Sequence, residues 1–504
     1  MNIRRLRRVA LGFGLAVLGA LGARAGCLYA SRIPAPANVA IPSDPITRDG
    51  AITRLGPSWM RKRGGIFEVS LEGAPAARGA AVSRLLREPM IADERALYEA
   101  FQKGVPFAPA RQAIMDLGRW RFRRVDQQIP APYREEVAGV ALGFQPDPFT
   151  SVLPSFHRFV FLYAVYDIAL SFEKSPLIGC TTFTVPPTPS TPPSPHELAM
   201  HVSPEELAER AGDWERATRG HAMLARAFDF EAGEPFDKDK VVFLVREPGR
   251  IPFASVGWPG FVGVVSGMNR EGVALVVHGG RAGVPRPEGI PVVFSLREAF
   301  SSARTTDEAV KILSSHEVMV SHITIVTDST GKTAVVERAP GVAAHVRWST
   351  APLATTNHFE GPLAGDPRDA EVRAKTSTLP RRARGDAILA GLPKPPGVVS
   401  MVGALRDRSG PDGAPLPLGD RRAIDAIIAT HGVVMDTTTR AMWVSEWPHL
   451  LGRFVRFDLR WLLADGFDPK NDPSAEGGKG FAAIPADPML TDGRWEAFRK
   501  GPKP

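Results

Sequence analysis

The stretch Leu177–Val185 reads Leu-Ile-Gly-Cys-Thr-Thr-Phe-Thr-Val, and it decides the fold expected for this chain. Gly179 allows a backbone geometry that other residues resist, and the β-branched residues after Cys180 predict a strand that begins at the cysteine. A free cysteine is usually an inert, buried hydrophobe. A thiol that becomes a new chain terminus is different, because the freed α-amine titrates at about pH 7.7–8.0 and can act as its base. The stretch therefore predicts cleavage of the Gly179–Cys180 bond and a nucleophile at Cys180.

The composition excludes several other classes of protein. The chain has 504 residues and only two cysteines, Cys27 and Cys180, which excludes a disulfide framework and any multi-cysteine metal site. The net charge of +8 is small for this length. The arginines around Trp120 form no long basic stripe with interleaved aromatic residues, so nucleic-acid binding is not indicated, and a solvated helix face or a subunit contact is the simpler interpretation. We expect no cofactor and no metal.

The first 26 residues are typical of a targeting segment. Basic residues precede an apolar stretch from Val9 to Ala23, and Ala23-Arg24-Ala25 resembles a cleavage site for a secretory signal. Residues 1–26 are therefore expected to be a signal peptide or a membrane anchor. Cys27 follows directly and leaves lipidation open, although Arg24 departs from a lipobox. The sequence predicts an exported protein of the periplasm or cell envelope.

Composition and hydrophobic periodicity divide the rest of the chain, residues 27–504, into four parts. Residues 27–85 are rich in Pro, Gly and Ala and are expected to be a linker, whereas residues 86–179 are expected to be mainly helical. Residues 180–467 form the expected catalytic domain, and residues 468–504 are expected to be a flexible tail. Helices are predicted at Tyr133–Ala141, Phe156–Leu170, Pro204–Ala217, Ser295–Ala303, Asp307–Ser314 and Arg421–Thr430. Strands are predicted at Val241–Val245, Phe261–Val265, Val273–Val277, Ile323–Thr327 and Thr333–Glu337, with a hairpin over Gly432–Val444. The pattern predicts an α+β fold of stacked sheets covered by helices.

Five blocks, in this order, resemble the acyl-coenzyme A:6-aminopenicillanate acyltransferase family, whose relatives are choloylglycine hydrolases and acid ceramidases. They are YREEVAG at Tyr133–Gly139, GCTTF at Gly179–Phe183, RAFDF at Arg226–Phe230, GMNREGV at Gly267–Val273 and TNHF at Thr356–Phe359. The resemblance implies a four-layer αββα N-terminal-nucleophile hydrolase fold preceded by a mainly helical segment. It also implies two self-derived chains that stay associated after cleavage.

The resemblance further implies roles for particular residues. Cys180 would attack an acyl carbonyl, Asp229 would orient its freed amine, and Arg226 would position substrate or lower the thiol pKa. Asn269 and Asn357 would donate hydrogen bonds to the oxyanion. From the residues alone, Arg226 and Asp229 read equally as a salt bridge, and Asn269 as a turn residue.

Other residues near these blocks leave alternatives open. A later arginine is expected beside a serine, where Arg381 is taken as the site residue although Arg382 fits equally. His278 and His358 are expected to be structural neighbours. Ala227 stands where the family often has asparagine, and the Pro186–Pro195 loop is a lid, a rim or a spacer.

The function expected from these features is hydrolysis of a linear amide in an N-acylated small molecule or a lipid amide, through a thioester on Cys180. An acyltransferase with an amine acceptor is the alternative. Two further interpretations remain open: a Cys180–histidine hydrolase without internal cleavage, and a non-enzymatic envelope protein that only binds. No residue selects the acyl group or the amine.

Overall fold

A computed structural model describes residues 18–19, 21–171, 178–188, 212–230, 233–478 and 480–501. Its strands form one large and one small sheet. The strands are β1 Ile46–Asp49, β2 Ile52–Leu55, β3 Ser58–Arg63, β4 Ile66–Glu72, β5 Ile178–Val185, β6 Met223–Phe230, β7 Val241–Arg246, β8 Phe253–Gly257, β9 Ser266–Asn269, β10 Ala274–Gly279, β11 His322–Thr327, β12 Thr333–Ala339, β13 Val342–Ser349, β14 Leu353–Thr355, β15 Ala429–Asp436, β16 Ala441–Ser445, β17 Phe454–Asp458 and β18 Ala483–Ile484.

The large sheet has 11 strands in the order β1-β2-β3-β4-β7-β8-β9-β10-β11-β12-β13. The small sheet has 7 strands in the order β14-β5-β6-β15-β16-β17-β18. Neighbouring strands are antiparallel except for β4 and β7, which are parallel. Thr182 in β5 is paired with Arg226 in β6, so the predicted nucleophile strand and the RAFDF block lie side by side.

Helices cover the outer faces of the two sheets. They are Pro75–Leu85, Arg87–Gly104, Ala108–Arg121, Ala131–Gly143, Ser155–Tyr163, Val165–Leu170, Glu234–Lys238, Val292–Ser302, Thr306–Ser315, Pro367–Lys375, Thr378–Gly391, Val398–Leu405, Leu459–Leu462 and Arg494–Lys500. Short 3-10 helices are Val125–Gln128, Pro362–Gly365, Pro469–Asn471 and Pro488–Leu490. From residue 87 to residue 170 every regular element is helical.

Side-chain alternation along the strands produces the layers. In β7, Val242 packs in the core between the two sheets, whereas Phe243 packs with the helices outside the large sheet. This two-residue period is what a strand buried on both faces requires. On the small sheet, Val433 faces the large sheet and Val434 packs against the helix Val398–Leu405. The order is helices, sheet, sheet, helices, and the predicted α+β class with a helical N-terminal segment is confirmed.

The expectation of a linker over residues 27–85 is wrong for its second half. Residues 46–72 form strands β1 to β4 of the large sheet, and the helix Pro75–Leu85 follows. The strand pattern was hidden because β3 buries charge. Arg61 and Arg63 are buried and pair with Glu68 of β4 at 2.9 Å. Paired charges can be buried in the interior. A prediction that looks for hydrophobic residues at strand spacing does not recognise such positions as buried.

The expectation of a flexible tail from residue 468 is also wrong for its described residues. The carboxylate of Asp472 is buried and forms ion pairs with Arg61 and Arg63. Strand β18 extends the small sheet, and Trp495 is buried in a separate apolar cluster with Met489. The tail is therefore part of the folded body.

Most of the other predicted elements match within a few residues, with two exceptions. The strand predicted at Phe261–Val265 is irregular, and the strand begins at Ser266 instead. The helix predicted at Arg421–Thr430 is also wrong, because Ile427 has a positive φ of 55° and β15 begins at Ala429. An apolar cluster without a clear period gave the wrong element in each place.

Several predictions concern residues outside the described ranges. These are most of the targeting segment, most of the Pro186–Pro195 loop and the first part of the helix predicted at Pro204–Ala217. Residues 21–30 are helical and Cys27 is exposed. Within the described residues, no helix has the length and apolar character needed to cross a bilayer.

Candidate active site

Cys180 lies at the centre of the molecule, on the face of the small sheet that looks toward the large sheet. Its side chain is fully buried, with 0% exposure. The sulphur lies 3.9 Å from the carbonyl oxygen of Val277 in β10. Because side chains alternate along β5, Phe183 lies on the other face of the small sheet, where it packs with Ala225. The strand predicted to begin at the cysteine begins two residues earlier, at Ile178, and carries the thiol into the space between the sheets.

Arg226 is the cation closest to this thiol. Its Nη2 donates to Cys180 Sγ at 3.1 Å and to Val277 O at 2.6 Å. Its Nη1 donates to Val265 O at 2.7 Å and also to Ser266 Oγ. The guanidinium lies over the ring of Phe228, with Cζ 4.2 Å from the centroid. Because planar guanidinium hydrogen bonds are directional, these contacts fix one N–H toward the sulphur.

Arg381 and Asn357 hold the backbone of the same cysteine. Arg381 Nη1 donates to the carbonyl oxygen of Cys180 at 2.5 Å and to Thr181 Oγ1 at 2.9 Å. Arg381 Nη2 donates to Asn357 Oδ1 at 3.0 Å, and the same oxygen accepts the Cys180 N–H at 2.9 Å. Arg382 instead forms an ion pair with Glu360 at 2.9 Å. The structure thus brings Arg381, and not Arg382, to the cysteine.

Asp229 lies against the predicted cleavage point. It is paired with Gly179 across β5 and β6 and is buried. A Cβ atom at position 179 would come within 2.9 Å of Asp229 Oδ2. The φ angle of Gly179 does not lie in the left-handed region that favours glycine. The glycine is therefore required here because the carboxylate needs the space, and the backbone freedom inferred from the sequence is not the reason.

The electrostatics of the thiol combine opposing effects. Burial raises the pKa of Cys180, Arg226 lowers it through charge and a hydrogen bond, and the charge of Asp229 raises it. Burial lowers the pKa of Arg381, while Asp229 and Cys180 counteract that shift. Arg226 is thus the main group in the site that favours the thiolate over the thiol.

The structure does not bring Asn269 to the thiol, which corrects the predicted oxyanion role. Its Nδ2 donates to the carbonyl oxygens of Phe300 at 3.0 Å and Ala303 at 2.7 Å. Its Oδ1 accepts the backbone N–H groups of Glu271 and Val273. Both amide hydrogens are used, so none remains for an oxyanion. The side chain closes the hairpin turn, as the alternative interpretation of this residue had it.

The histidines near the site are structural neighbours of other groups. His278 Nε2 lies 2.6 Å from Thr182 Oγ1, and its Nδ1 lies 3.0 Å from Thr356 O. His358 Nδ1 lies 3.0 Å from Thr378 Oγ1. Burial lowers the pKa of His358 to about 4. Within the described ranges, no histidine nitrogen is hydrogen-bonded to Cys180 Sγ, whose contacts are Arg226 and Val277.

Two supporting residues went unnoticed in the sequence. Ser266 Oγ accepts a hydrogen bond from Arg226 and lies 2.9 Å from His431 Nε2. The His431 ring stacks on Phe228 with centroids 5.1 Å apart. Burial and the charge of Arg226 lower the pKa of His431 well below its usual value, which favours the neutral ring. Ser266 directly precedes the GMNREGV block, but nothing in its local sequence marks a contact with Arg226.

Comparison with protein families gave a match over part of the chain. Residues 216–399 match the family described as acyl-coenzyme A:6-aminopenicillanic acid acyl-transferase. The resemblance predicted from the sequence is confirmed over this part of the chain. Family members are N-terminal-nucleophile hydrolases and acyltransferases that act on amide bonds, and the prediction that the chain is an enzyme of this class is confirmed as well. Comparison with curated protein sequences gave no significant match.

The chain is also similar to several solved structures. The N-acylethanolamine-hydrolyzing acid amidase ortholog of Caenorhabditis elegans is 16% identical, covers 51% of this chain and 93% of its own, and has a TM-score of 0.35. Penicillin V acylase from Agrobacterium tumefaciens is 16% identical, covers 56% and 92%, and has a TM-score of 0.34. A mutant of conjugated bile acid hydrolase from Clostridium perfringens is 11% identical, covers 45% and 86%, and has a TM-score of 0.28. The prediction that the chain is an enzyme rests on the acyl-transferase family match over residues 216–399.

The described residues offer no metal site. Among them, no group of three or more His, Cys, Asp or Glu side chains has the geometry to hold a metal ion. The residues around the thiol are an arginine pair, an amide and an aspartate, which suit a charged amine and an oxyanion better than a metal cation.

Proposed function

We propose that the chain is a cysteine amidohydrolase that activates itself by cleaving the Gly179–Cys180 bond and then hydrolyses a linear amide of an N-acylated small molecule or lipid. The observation that carries the proposal is the pair of contacts on one residue. Arg226 Nη2 lies 3.1 Å from Cys180 Sγ, while Asn357 Oδ1 accepts the Cys180 N–H at 2.9 Å. The thiol and the nitrogen that becomes its base are held by different side chains.

Self-cleavage would proceed in two steps, transfer of the Gly179 acyl group to sulphur and hydrolysis of the thioester. Cys180 Sγ attacks the Gly179 carbonyl carbon, the C–N bond breaks, and the Cys180 nitrogen takes up the proton that the thiol loses. Water then hydrolyses the thioester, which leaves a carboxylate on Gly179 and restores the thiol. In the product, Asn357 Oδ1 accepts from the new α-amine, and the nearby Asp229 carboxylate favours its ammonium form. The amine can then act as general base and general acid for an incoming amide.

The cysteine–histidine alternative is less consistent with the site. A thiolate–imidazolium pair needs a ring nitrogen within hydrogen-bond reach of the sulphur. The nearby rings of His278 and His431 instead contact Thr182 and Ser266. Burial and the charge of Arg226 lower the pKa of each ring well below the usual value, so neither favours the imidazolium form.

Intact mass measurement of the purified protein tests the proposal. We expect fragments that end at Gly179 and begin at Cys180, together with turnover of at least one member of a panel of acyl p-nitroanilides. Cys180→Ala should remain a single chain without activity, and Cys27→Ser, which removes the exposed second cysteine, should process and turn over normally. A wild-type chain that stays continuous at Gly179–Cys180, or a Cys180→Ala variant that still cleaves amides, would contradict the proposal.

A further inference from the structure

Tyr166 carries a buried hydroxyl that the described residues leave without a hydrogen-bond partner. The residue is 5% exposed and belongs to the helix Val165–Leu170, before the predicted cleavage point. Tyr163, three positions earlier, is also buried, but its hydroxyl donates to Gly260 O at 2.5 Å. Leaving a buried polar group unpaired costs about 1–3 kcal/mol. The Tyr166 hydroxyl therefore indicates a ligand that completes it.

This hydroxyl lies beside the groups that hold the cysteine. A Cβ atom at Gly279 would come within 3.8 Å of the Tyr166 oxygen. The carbonyl oxygen of Gly279 accepts a hydrogen bond from Asn357 Nδ2 at 3.0 Å. Val277, two residues earlier in β10, has its carbonyl oxygen 3.9 Å from Cys180 Sγ. The phenol, the amide and the thiol thus surround the same end of β10.

The surroundings keep this phenol protonated. Burial raises the pKa of Tyr166 well above its ordinary value, the charge of Cys180 raises it further, and Arg226 lowers it. A neutral phenol in such a site is a hydrogen-bond donor and not a base. Asn357 offers a second donor, because only one of its two amide hydrogens is used on Gly279.

We propose that Tyr166 is a further catalytic residue, which donates its hydroxyl hydrogen to the oxyanion formed when Cys180 attacks the substrate carbonyl. The inference rests on the proposed function. The Cys180 α-amine takes the thiol proton as Sγ bonds to the carbonyl carbon. The π electrons move to the oxygen, which accepts hydrogen bonds from Tyr166 and Asn357. When the intermediate collapses, the carbonyl re-forms, the C–N bond breaks, and the leaving amine takes its proton from the Cys180 α-ammonium. Tyr166 keeps its proton throughout.

This role makes the segment before the cleavage point part of the mature active site. Tyr166 lies on the amino-terminal side of Cys180, so the chain released by self-cleavage must stay bound. The adjacent Asp167 anchors the helix, since its carboxylate accepts the Val292 N–H at 3.1 Å. Val292 is the first residue of the helix Val292–Ser302, which belongs to the chain that begins at Cys180. A noncovalent contact therefore spans the cleavage point.

A trifluoromethyl ketone that mimics the intermediate tests the assignment without a known substrate. 1,1,1-Trifluoroundecan-2-one adds reversibly to a thiol and leaves a hydroxyl or oxyanion at the carbonyl position, and its trifluoromethyl group disfavours the loss of water that would close a thiazolidine with the Cys180 α-amine. We would measure how much of this ketone protects Cys180 from alkylation by iodoacetamide, in a Cys27→Ser background. Tyr166→Phe is the test variant and Tyr163→Phe the matched control, because it loses a buried hydroxyl in the same helical region that has its own partner.

Loss of one oxyanion donor typically lowers turnover by about 100- to 1,000-fold. We expect half-protection of Tyr166→Phe to need about 100-fold more ketone, while its alkylation rate without ketone matches that of the Tyr163→Phe control. Equal protection of the two variants, at any level including none, would overturn the role of Tyr166. A wild-type Cys180 that is neither freed at its N-terminus nor alkylated would overturn the proposed function, and with it this inference.

Discussion

Replacing Arg226 should change the acidity of the thiol by an amount that the structure allows us to calculate. Its Nη2 lies 3.1 Å from Cys180 Sγ, and the centre of its charge lies about 4 Å away. With an effective dielectric constant of about 20, a unit charge at about 4 Å stabilises the thiolate by about 4 kcal/mol. This energy corresponds to a change of about 100- to 1,000-fold in the population of the thiolate. Arg226→Met should therefore raise the pKa of Cys180, because it removes the main group that lowers this pKa while burial and Asp229, which raise it, remain.

Alkylation of Cys180 by iodoacetamide as a function of pH measures this shift. In a Cys27→Ser background the reagent has a single target cysteine, and mass spectrometry follows it in the processed or unprocessed chain. We expect a loss of about 100- to 1,000-fold in rate at about pH 7.5, as the loss of about 4 kcal/mol of thiolate stabilisation implies. Arg226→Lys should recover most of the rate, because it retains the charge although it loses the planar hydrogen bonds to Val265 and Val277.

The control is Arg382→Met, which removes a neighbouring arginine that pairs with Glu360 and not with the cysteine. It should leave the pH profile unchanged. A thermal unfolding curve for each variant separates a change in acidity from a loss of folding. An Arg226→Met protein that is folded and alkylates at the wild-type rate would refute the assignment of Arg226 as the group that acidifies the thiol.

Two further predictions concern stability. Asn269→Ala removes four hydrogen bonds to backbone groups and should lower the free energy of unfolding, measured in urea, by about 2–6 kcal/mol, at about 0.5–1.5 kcal/mol each. A change in Cys180 alkylation instead would restore Asn269 to the site. Burial lowers the pKa of His157 from 6.5 to about 4, so its contribution to stability is present above pH 6.5 and is lost as the pH falls toward 4. Between about pH 7 and about pH 5 the wild type should lose about 1–2 kcal/mol more than His157→Phe, and equal losses would contradict the burial of a neutral ring.

The sequence predicted strand β5 well because the residues that indicate it are adjacent in the chain. Gly179, Cys180 and the β-branched residues after it are adjacent, and the two-residue period of β5 follows from them directly. The spacing of Arg226 and Asp229 was also informative, since both lie on the strand that pairs with β5. Cys180 and Arg226 are 46 residues apart in the chain, so the resemblance of the two blocks to the acyltransferase family, and not short-range order, associated them.

Prediction of strands from the hydrophobic pattern failed where buried positions carry charge. Arg61 and Arg63 made β3 look like a loop, because their partners Glu68 and Asp472 are known only once the chain is folded. A polar side chain can be buried if another part of the chain satisfies it. The sequence pattern does not show which distant segment satisfies a buried charge, and β3 and the packing of Asp472 were missed for this reason.

By itself the sequence determined the α+β class and the start of strand β5 to within two residues, since both depend on residues close in the chain or on the period along one strand. Only the tertiary structure decided which distant polar groups surround the thiol. It selected Arg381 over Arg382, moved Asn269 to a turn, and placed Tyr166 beside Gly279. The physical reason is that hydrogen bonds depend on the positions of atoms in space, which distant segments acquire only when the two sheets and their helices pack together.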